Sequence, residues 1–252
     1  MNIWIIILYA LGVVCFVFIS IYFVTRTCVK QGIASPNTVF HLINWAVVSG
    51  FIGARLEYVL IQHSIYVHSS EQIFVLWKGG YSSMGAVIAG SAIGILLLKK
   101  KNIPVFRFFD IITPYIALSI FFTRVGGFIR GSSFGKVTNL PWGVIYPRGS
   151  LAFKAQVSSN IISPDASHAL PVHPTTLYEA AGAVIAFFIV VYASRHKHTE
   201  GTVMWTLLLV YSMERFVIDY FRGDMMPDVF SIFTPSQMIS LIIALYAAYS
   251  LV

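Results

Sequence analysis

The sequence predicts an all-α polytopic membrane protein with seven transmembrane helices and an outer-face head domain between spans 4 and 5. Of its 252 residues, 57% are hydrophobic and only 11% are charged, whereas a soluble domain usually carries about 25% charged residues. Apolar runs of membrane-spanning length recur, and they are continuous rather than alternating, which excludes a β-barrel. We expect a single integral membrane domain over residues 1–252, with the head inserted at residues 123–172.

Each predicted span is one of these apolar runs. They are Ile3–Val24, Thr38–Ile61, Gly85–Leu98, Pro104–Phe122, Pro174–Ala193, Thr202–Phe221 and Pro235–Val252. The first run has no basic residue before it and no A-x-A-like cleavage site after it, so we expect it to be retained. The two cysteines, Cys15 in this run and Cys28 just after it, cannot form a disulfide framework.

Basic residues are concentrated in alternate loops. Loops 1, 3 and 5 share one side of the membrane and hold Arg26, Lys30, Lys99–Lys101, Arg107, Arg195 and Lys197. Loop 2, on the opposite side, holds only Lys78. The positive-inside rule therefore predicts an amino terminus outside and a carboxyl terminus inside the cell. The net charge of +7 does not by itself indicate nucleic acid, and we expect no such partner.

A glycine-rich, basic stretch runs from Arg124 to Ser150. It contains Arg124, Arg130, Lys136 and Arg148 and no acidic residue. Glycines allow close approach of the backbone to a ligand, and exposed N–H groups and guanidiniums suit phosphate oxygens. The stretch predicts an anion-binding loop at the end of a membrane helix, with a phospholipid head group as its ligand. The alternative is an ordinary polar loop whose arginines extend to the interface.

Charged residues inside spans are costly, and they are usually functional or paired. In span 6, one helical face carries Tyr211, Arg215, Asp219 and Arg222. Arg215 and Asp219 have ion-pair spacing, and the arginine would keep donors free for a phosphate; alternatively, the pair is structural. In span 2 we expect Arg55 to point inward and Glu57 to lie toward the interface. Asp110 in span 4 is interpreted as structural.

A histidine opens span 5, in the stretch His173 to Glu179. Histidine is the side chain best suited to exchange protons near neutral pH. Glu179, one turn further along, could orient it or pair with an arginine. The alternative is a histidine that only caps the helix or forms a hydrogen bond. The sequence contains no spaced set of cysteines and histidines typical of a metal site, no G-x-S-x-G motif and no P-loop.

Taken together, these motifs resemble the prolipoprotein diacylglyceryl transferase family over nearly the whole chain. The matching stretches are Gly53–Leu60, Arg124–Gly126 with Gly131 and Gly135, His173–Pro174 with Leu177–Glu179, Arg215–Phe216 with Asp219, Phe221 and Arg222, and Ser236–Gln237. Tyr9 is similar to a tyrosine of the family's first span. Each motif alone is weak, but their order along the predicted spans makes the resemblance strong.

The resemblance implies an enzyme of the bacterial inner membrane. It would transfer a diacylglyceryl group from phosphatidylglycerol to the lipobox cysteine of a preprolipoprotein and release glycerol phosphate, without metal or nucleotide cofactor. Carried onto this sequence, the catalytic residues are Arg124, Arg215, His173, Glu179 and Asp219. The expected substrate-binding residues are Tyr9, Arg55, Gly126, Arg130, Gly131, Gly135, Tyr178 and Arg222.

The chain also departs from the family pattern. Met84 stands where the family has a histidine that is a candidate base, and methionine cannot accept a proton. The asparagines of the family's signature loop fall on Gly127 and Arg130, and its glutamate falls on Ser132. Two alternatives therefore stay open: a transferase of the same fold with an anionic phospholipid donor but another acceptor, and a lipid-binding or transport paralogue without enzymatic activity.

Overall fold

The computed structural model describes residues 3–66, 70–196, 199–223 and 233–251. Of the bases used to predict the topology, Lys197 lies outside this part, as does the side chain of Lys78. The helices are α1 Ile3–Lys30, α2 Pro36–Ile61, α3 His63–Tyr66, α4 Ser83–Lys100, α5 Val105–Arg130, α6 Leu151–Ser158, α7 Thr175–Arg195, α8 Thr202–Ile218 and α9 Pro235–Leu251. Short 3₁₀ helices occur at Ser70–Phe74, Leu76–Lys78 and Asp219–Phe221.

Five helices in the described part of the chain, α1, α2, α4, α5 and α7, are long and apolar enough to cross a membrane. Helix α9 is apolar but has 17 residues. The 17 residues of α8 are continued by the 3₁₀ turn Asp219–Phe221. An all-α architecture with several candidate membrane spans is therefore confirmed.

The chain divides into two compact units. One comprises Ile19–Phe108, and the other comprises the residues up to Phe18 together with those from Phe109 onward. In the first unit, α2 and α4 pack closely because their contact is lined by glycines. A Cβ on Gly53 would lie 2.5 Å from the carbonyl oxygen of Gly85, and one on Gly90 would lie 3.0 Å from that of Ala46.

In the second unit, α7 and α8 form a helical hairpin. Its core contains Ala186 and Val190 of α7 with Val203 and Leu207 of α8. Asp110 of α5 fixes the start of α8, because its carboxylate accepts hydrogen bonds from the backbone N–H of Gly201 at 2.6 Å and of Met204 at 2.9 Å. A carboxylate at a helix N-terminus pairs its free N–H groups and complements its dipole. This contact supports the structural interpretation of Asp110.

Helix α5 extends further than the sequence indicates. We predicted span 4 to end at Phe122 and the head to begin at Thr123, but the chain stays helical to Arg130. Glycine lowers helix propensity by about 1 kcal/mol relative to alanine, and Gly126 and Gly127 made this region look like a loop. The Tyr9 side chain packs against Gly126, and its hydroxyl donates a 2.7 Å hydrogen bond to the Phe122 carbonyl. This packing offsets the low propensity.

Residues 131–174 connect α5 to α7 and have a small core of their own. It consists of Phe134, Tyr146, Ala152, Phe153, Ala169 and Val172. Isolated antiparallel bridges pair Val172 with both Val137 and Val144. The buried Gln156 side chain accepts a 2.7 Å hydrogen bond from the Leu170 N–H and donates one at 3.2 Å to the Leu170 carbonyl, which ties α6 to this segment.

Candidate functional site

The centre of the candidate site is the carboxylate of Glu179, on the second turn of α7. Its side chain is 3% exposed, and each oxygen contacts a different arginine. Oε2 lies 3.3 Å from Nη1 of Arg124 on α5. Oε1 pairs with Nη1 of Arg215 on α8. Two of the predicted catalytic arginines, far apart in sequence, therefore meet at one buried acid.

A second acid extends this ion-pair network along α8. Asp219, whose side chain is fully buried, lies 3.2 Å from Nη2 of Arg215 and 3.9 Å from Nε of Arg222. Its other oxygen accepts a 3.2 Å hydrogen bond from the Thr234 hydroxyl. Burying charges this deeply is costly unless they are paired and hydrogen-bonded. The predicted contact between Arg215 and Asp219 is confirmed.

The start of α9 completes the surroundings of Arg215. Nε of Arg215 donates a 3.2 Å hydrogen bond to the Ser236 hydroxyl. Gln237 accepts from the Thr234 N–H at 2.9 Å and donates to the Phe216 carbonyl at 3.3 Å. The Ser236–Gln237 motif of the sequence thus attaches α9 to the charged end of α8.

One of the N–H donors of Arg124 is unpaired within the described part of the chain. Its Nη2 donates a 3.0 Å hydrogen bond to the Tyr211 hydroxyl. Its Nε is buried and has no hydrogen-bond partner among the described residues. A buried guanidinium donor without a partner carries a desolvation cost of about 1–3 kcal/mol or more. An anion with several acceptor oxygens would remove that cost.

The predicted histidine belongs to a chain of aromatic side chains beside the network. The Tyr178 hydroxyl lies 3.2 Å from Nδ1 of His173 and accepts a 2.8 Å hydrogen bond from Nε1 of Trp142. The His173 ring also packs edge-on against Phe221, with 5.2 Å between the ring centroids. Helix α7 has Pro174 at its N-cap without a side-chain hydrogen bond, so His173 does not cap the helix. Its contact with the Tyr178 hydroxyl agrees with the alternative of a hydrogen-bonding histidine.

The predicted glycines lie where the chain needs close contact or a left-handed turn. Gly126 packs against Tyr9, as described above. Gly131, with φ +65°, ends α5. A Cβ on Gly135 would lie 2.6 Å from the His173 carbonyl oxygen and 2.8 Å from that of Phe221. Arg130, at the end of α5, is exposed. Their predicted role in binding substrate stays a prediction.

Arg55 lies in the other unit and binds backbone carbonyls there. It donates to Ile73 at 3.0 Å, Gly79 at 2.7 Å and Gly80 at 2.9 Å. It therefore holds the segment between α2 and α4, and its predicted contact with substrate remains untested. The Glu57 carboxylate accepts a hydrogen bond from the Gly85 N–H in the first turn of α4, and its place toward the interface stays a prediction. The exposed Met84 precedes this glycine.

One residue of the site escaped the sequence analysis. Glu214 of α8 lies beside Arg215 in sequence, and its carboxylate packs directly against Gly182 of α7. Both of its oxygens are buried and accept no hydrogen bond from any described residue. A charged residue within an apolar helix is itself a signal of function, and this signal was available in the sequence. Among the described residues, no three His, Cys, Asp or Glu side chains form a group that could hold a metal ion.

Comparison with known proteins shows which family this chain is similar to. The family model described as "Prolipoprotein diacylglyceryl transferase" matches residues 3–252. A phosphatidylglycerol–prolipoprotein diacylglyceryl transferase of Geobacter sulfurreducens is 30% identical over 87% of this chain and 77% of its own length. Proteins with the same name are similar to this chain in a Wolbachia of Brugia malayi, with 29% identity over 87% of the chain and 77% of the relative, and in Clostridium tetani, with 30% over 80% and 76%.

Proposed function

Because the chain belongs to the prolipoprotein diacylglyceryl transferase family, we propose that it transfers the diacylglyceryl group of phosphatidylglycerol to the thiol of a prolipoprotein lipobox cysteine. A carbon–sulfur bond forms at the glycerol carbon that carries the phosphate ester. The carbon–oxygen bond at that carbon breaks, and glycerol phosphate leaves with the bonding electrons. The thiol loses its proton.

The convergence of Arg124 and Arg215 on Glu179 carries this proposal. The leaving group is a phosphate ester, so the reaction is accelerated by groups that bind its oxygens as negative charge develops. Guanidiniums suit this task because they stay charged and present several donors in a plane. The buried Glu179 holds both arginines in place before the lipid arrives, and the unpaired Nε of Arg124 is one donor for a phosphate oxygen.

The remaining predicted residues have supporting roles in the proposed site. Asp219 and Arg222 fix the position of Arg215 from the end of α8. His173 and Tyr178 line the beginning of α7, where the aromatic side chains would contact the glycerol or acyl parts of the lipid. Gly126, Gly131 and Gly135 allow the backbone to approach its neighbours closely around these groups.

We further propose the finer topology that the sequence predicts. Helices α8 and α9 are the sixth and seventh spans, because 17 residues lie at the lower end of the length that crosses a bilayer and the 3₁₀ turn lengthens α8. Residues 131–172, after the end of α5, form the outer-face insertion within a single membrane domain. The protein lies in the bacterial inner membrane with its amino terminus outside.

Met84 favours two alternatives, because the family's histidine is absent there. The second candidate is a transferase with the same lipid donor but a different acceptor. The third is a lipid-binding or transport paralogue without enzymatic activity.

A rescue experiment separates these functions. The gene is expressed in bacteria depleted of their own diacylglyceryl transferase, and the amino-terminal cysteine of a reporter lipoprotein is analysed by mass spectrometry. We expect growth and a diacylglyceryl thioether on the reporter. Absence of the thioether, with the purified protein still binding phosphatidylglycerol, would instead support the alternatives.

A further inference from the structure

In the proposed reaction, a group in this site must accept the proton of the acceptor thiol. A thiol is a weak nucleophile until it becomes a thiolate. Met84 cannot accept the proton. Both Glu179 oxygens contact guanidiniums, and Asp219 contacts Arg215, Arg222 and Thr234. Both of these acids are therefore ion-paired with arginines.

Glu214 differs from these acids in its contacts. Both of its oxygens are buried, and no donor in the described part of the chain uses them. The Glu214 carboxylate fills the space beside Gly182, which has no side chain, and any Cβ there would overlap the carboxylate. Gly182 and Glu179 lie three residues apart and so share one face of α7. Glu214 therefore lies about one turn along α7 from the acid that holds both arginines.

The same geometry places Glu214 among the charged side chains of the site. It interacts electrostatically with Arg124, Arg215 and Glu179. It also lies one turn along α8 from Tyr211, which accepts a hydrogen bond from Arg124. A phosphate bound by the two arginines would lie near this carboxylate, because Glu214 interacts with both of them.

We propose that Glu214 is the general base that takes the proton of the acceptor thiol, an assignment that rests on the proposed function. The proton moves from sulfur to a Glu214 oxygen as the sulfur attacks the glycerol carbon. The carbon–oxygen bond breaks, and glycerol phosphate departs as a phosphate monoester dianion. The proton then passes from Glu214 to that monoester, which restores the carboxylate for the next cycle.

The test compares Glu214→Gln with the wild type, both purified with phosphatidylglycerol and a lipobox peptide. Amide replaces carboxylate with little change in size, so we expect kcat to fall about 10²- to 10⁴-fold, the range typical of a lost general base. The KM for phosphatidylglycerol should change little, and the rate of the variant should follow the ionisation of the peptide thiol. Glu200→Gln, an exposed acid in the connection before α8, is the matched control.

A second acceptor distinguishes a base from a structural residue. A peptide with selenocysteine at the acceptor position ionises at lower pH and needs no base at neutral pH. With this peptide, Glu214→Gln should regain most of the wild-type rate, whereas a structural defect would slow both peptides equally and overturn the assignment. Glu214→Asp provides the same comparison should the amide variant fail to fold.

The outcomes for the two hypotheses differ. If the wild type transfers no diacylglyceryl group to either peptide, the proposed function fails and the assignment of Glu214 fails with it. If the wild type and Glu214→Gln transfer at the same rate and with the same pH profile, the proposed function stands and Glu214 is not the base.

Discussion

Arg215 is the residue with the most demanding contacts in the site. Its guanidinium contacts Glu179 on α7, Asp219 on its own helix and Ser236 on α9 at the same time. The planar guanidinium spreads its donors over three nitrogen atoms, so it can reach these three partners at once. A lysine would place one compact charge at the end of its chain, and Glu179 and Asp219 would have to share it.

We therefore expect Arg215→Lys to reduce diacylglyceryl transfer by about 10²-fold or more. Turnover would be measured with phosphatidylglycerol and a lipobox peptide. Arg107→Lys is the control, since Arg107 is exposed near the start of α5 and lies outside the glycine-rich stretch that begins at Arg124. Full turnover by Arg215→Lys would show that the arginine does not contact the phosphate in the way proposed.

Tyr146 gives a prediction about stability in the segment that connects α5 to α7. Burial raises the pKa of its phenol above the ordinary value of 10.0, and its hydroxyl has no hydrogen-bond partner among the described residues. The unfolded chain therefore ionises this group at a lower pH than the folded protein. The free energy of unfolding is unaffected by Tyr146 below about pH 10 and falls as the pH rises above that value.

Tyr146→Phe should remove the part of the fall in the free energy of unfolding above pH 10 that ionisation of Tyr146 causes. Because the hydroxyl is buried without a partner, the variant should be at least as stable as the wild type at pH 7, and its advantage should grow above pH 10. Thermal unfolding in detergent across this pH range measures both. A variant that is clearly less stable than the wild type at pH 7 would mean that the hydroxyl has a partner in the protein.

At the scale of the helices, the sequence predicted side-chain contacts within one helix better than contacts between different helices. The contact of Arg215 with Asp219 follows from a spacing of one helical turn. The meeting of Arg124 with Glu179 does not follow from any spacing, because nothing in a sequence of separate helices states which faces pack together. Glu214 was missed because it adjoins Arg215 and points elsewhere, so it did not belong to the charged face that was analysed.

The end of α5 illustrates the same limit. The low helix propensity of glycine predicted a loop at Gly126 and Gly127. In the structure, packing against Tyr9 keeps the helix intact to Arg130. The helical identity of the apolar runs was predictable because it depends only on composition and length. The boundary was not, since it depends on a tyrosine more than a hundred residues earlier in the chain.

Gly126→Ala tests the contact between α1 and α5. A Cβ at this position would overlap the Tyr9 side chain, so we expect a loss of about 1–3 kcal/mol in the free energy of unfolding, despite the better helix propensity of alanine. Gly12→Ala in α1 is the control, because no atom lies within 4 Å of its added Cβ, and it should be neutral or slightly stabilising. Equal stability of the two variants would contradict this role of Gly126.

At the scale of the whole molecule, the proposed topology makes a prediction about accessibility. The two native cysteines are replaced, and single cysteines are introduced at Lys154 in α6 and Lys100 at the end of α4, both exposed. In intact cells, an impermeant thiol reagent should label position 154 and leave position 100 unlabelled until the membrane is opened. Labelling at position 100 but not at 154 would reverse the proposed orientation.

The contacts between α7 and α8 also bear on how the chain enters the membrane during synthesis. An acidic or basic side chain at the centre of an isolated helix costs about 2.5–3.5 kcal/mol for insertion, and α8 carries Glu214 and Arg215 near one end. The preceding helix brings Glu179 to Arg215. We expect the translocation machinery to release α7 and α8 together as a paired hairpin, because α8 alone would pair Arg215 with Asp219 but not with Glu179.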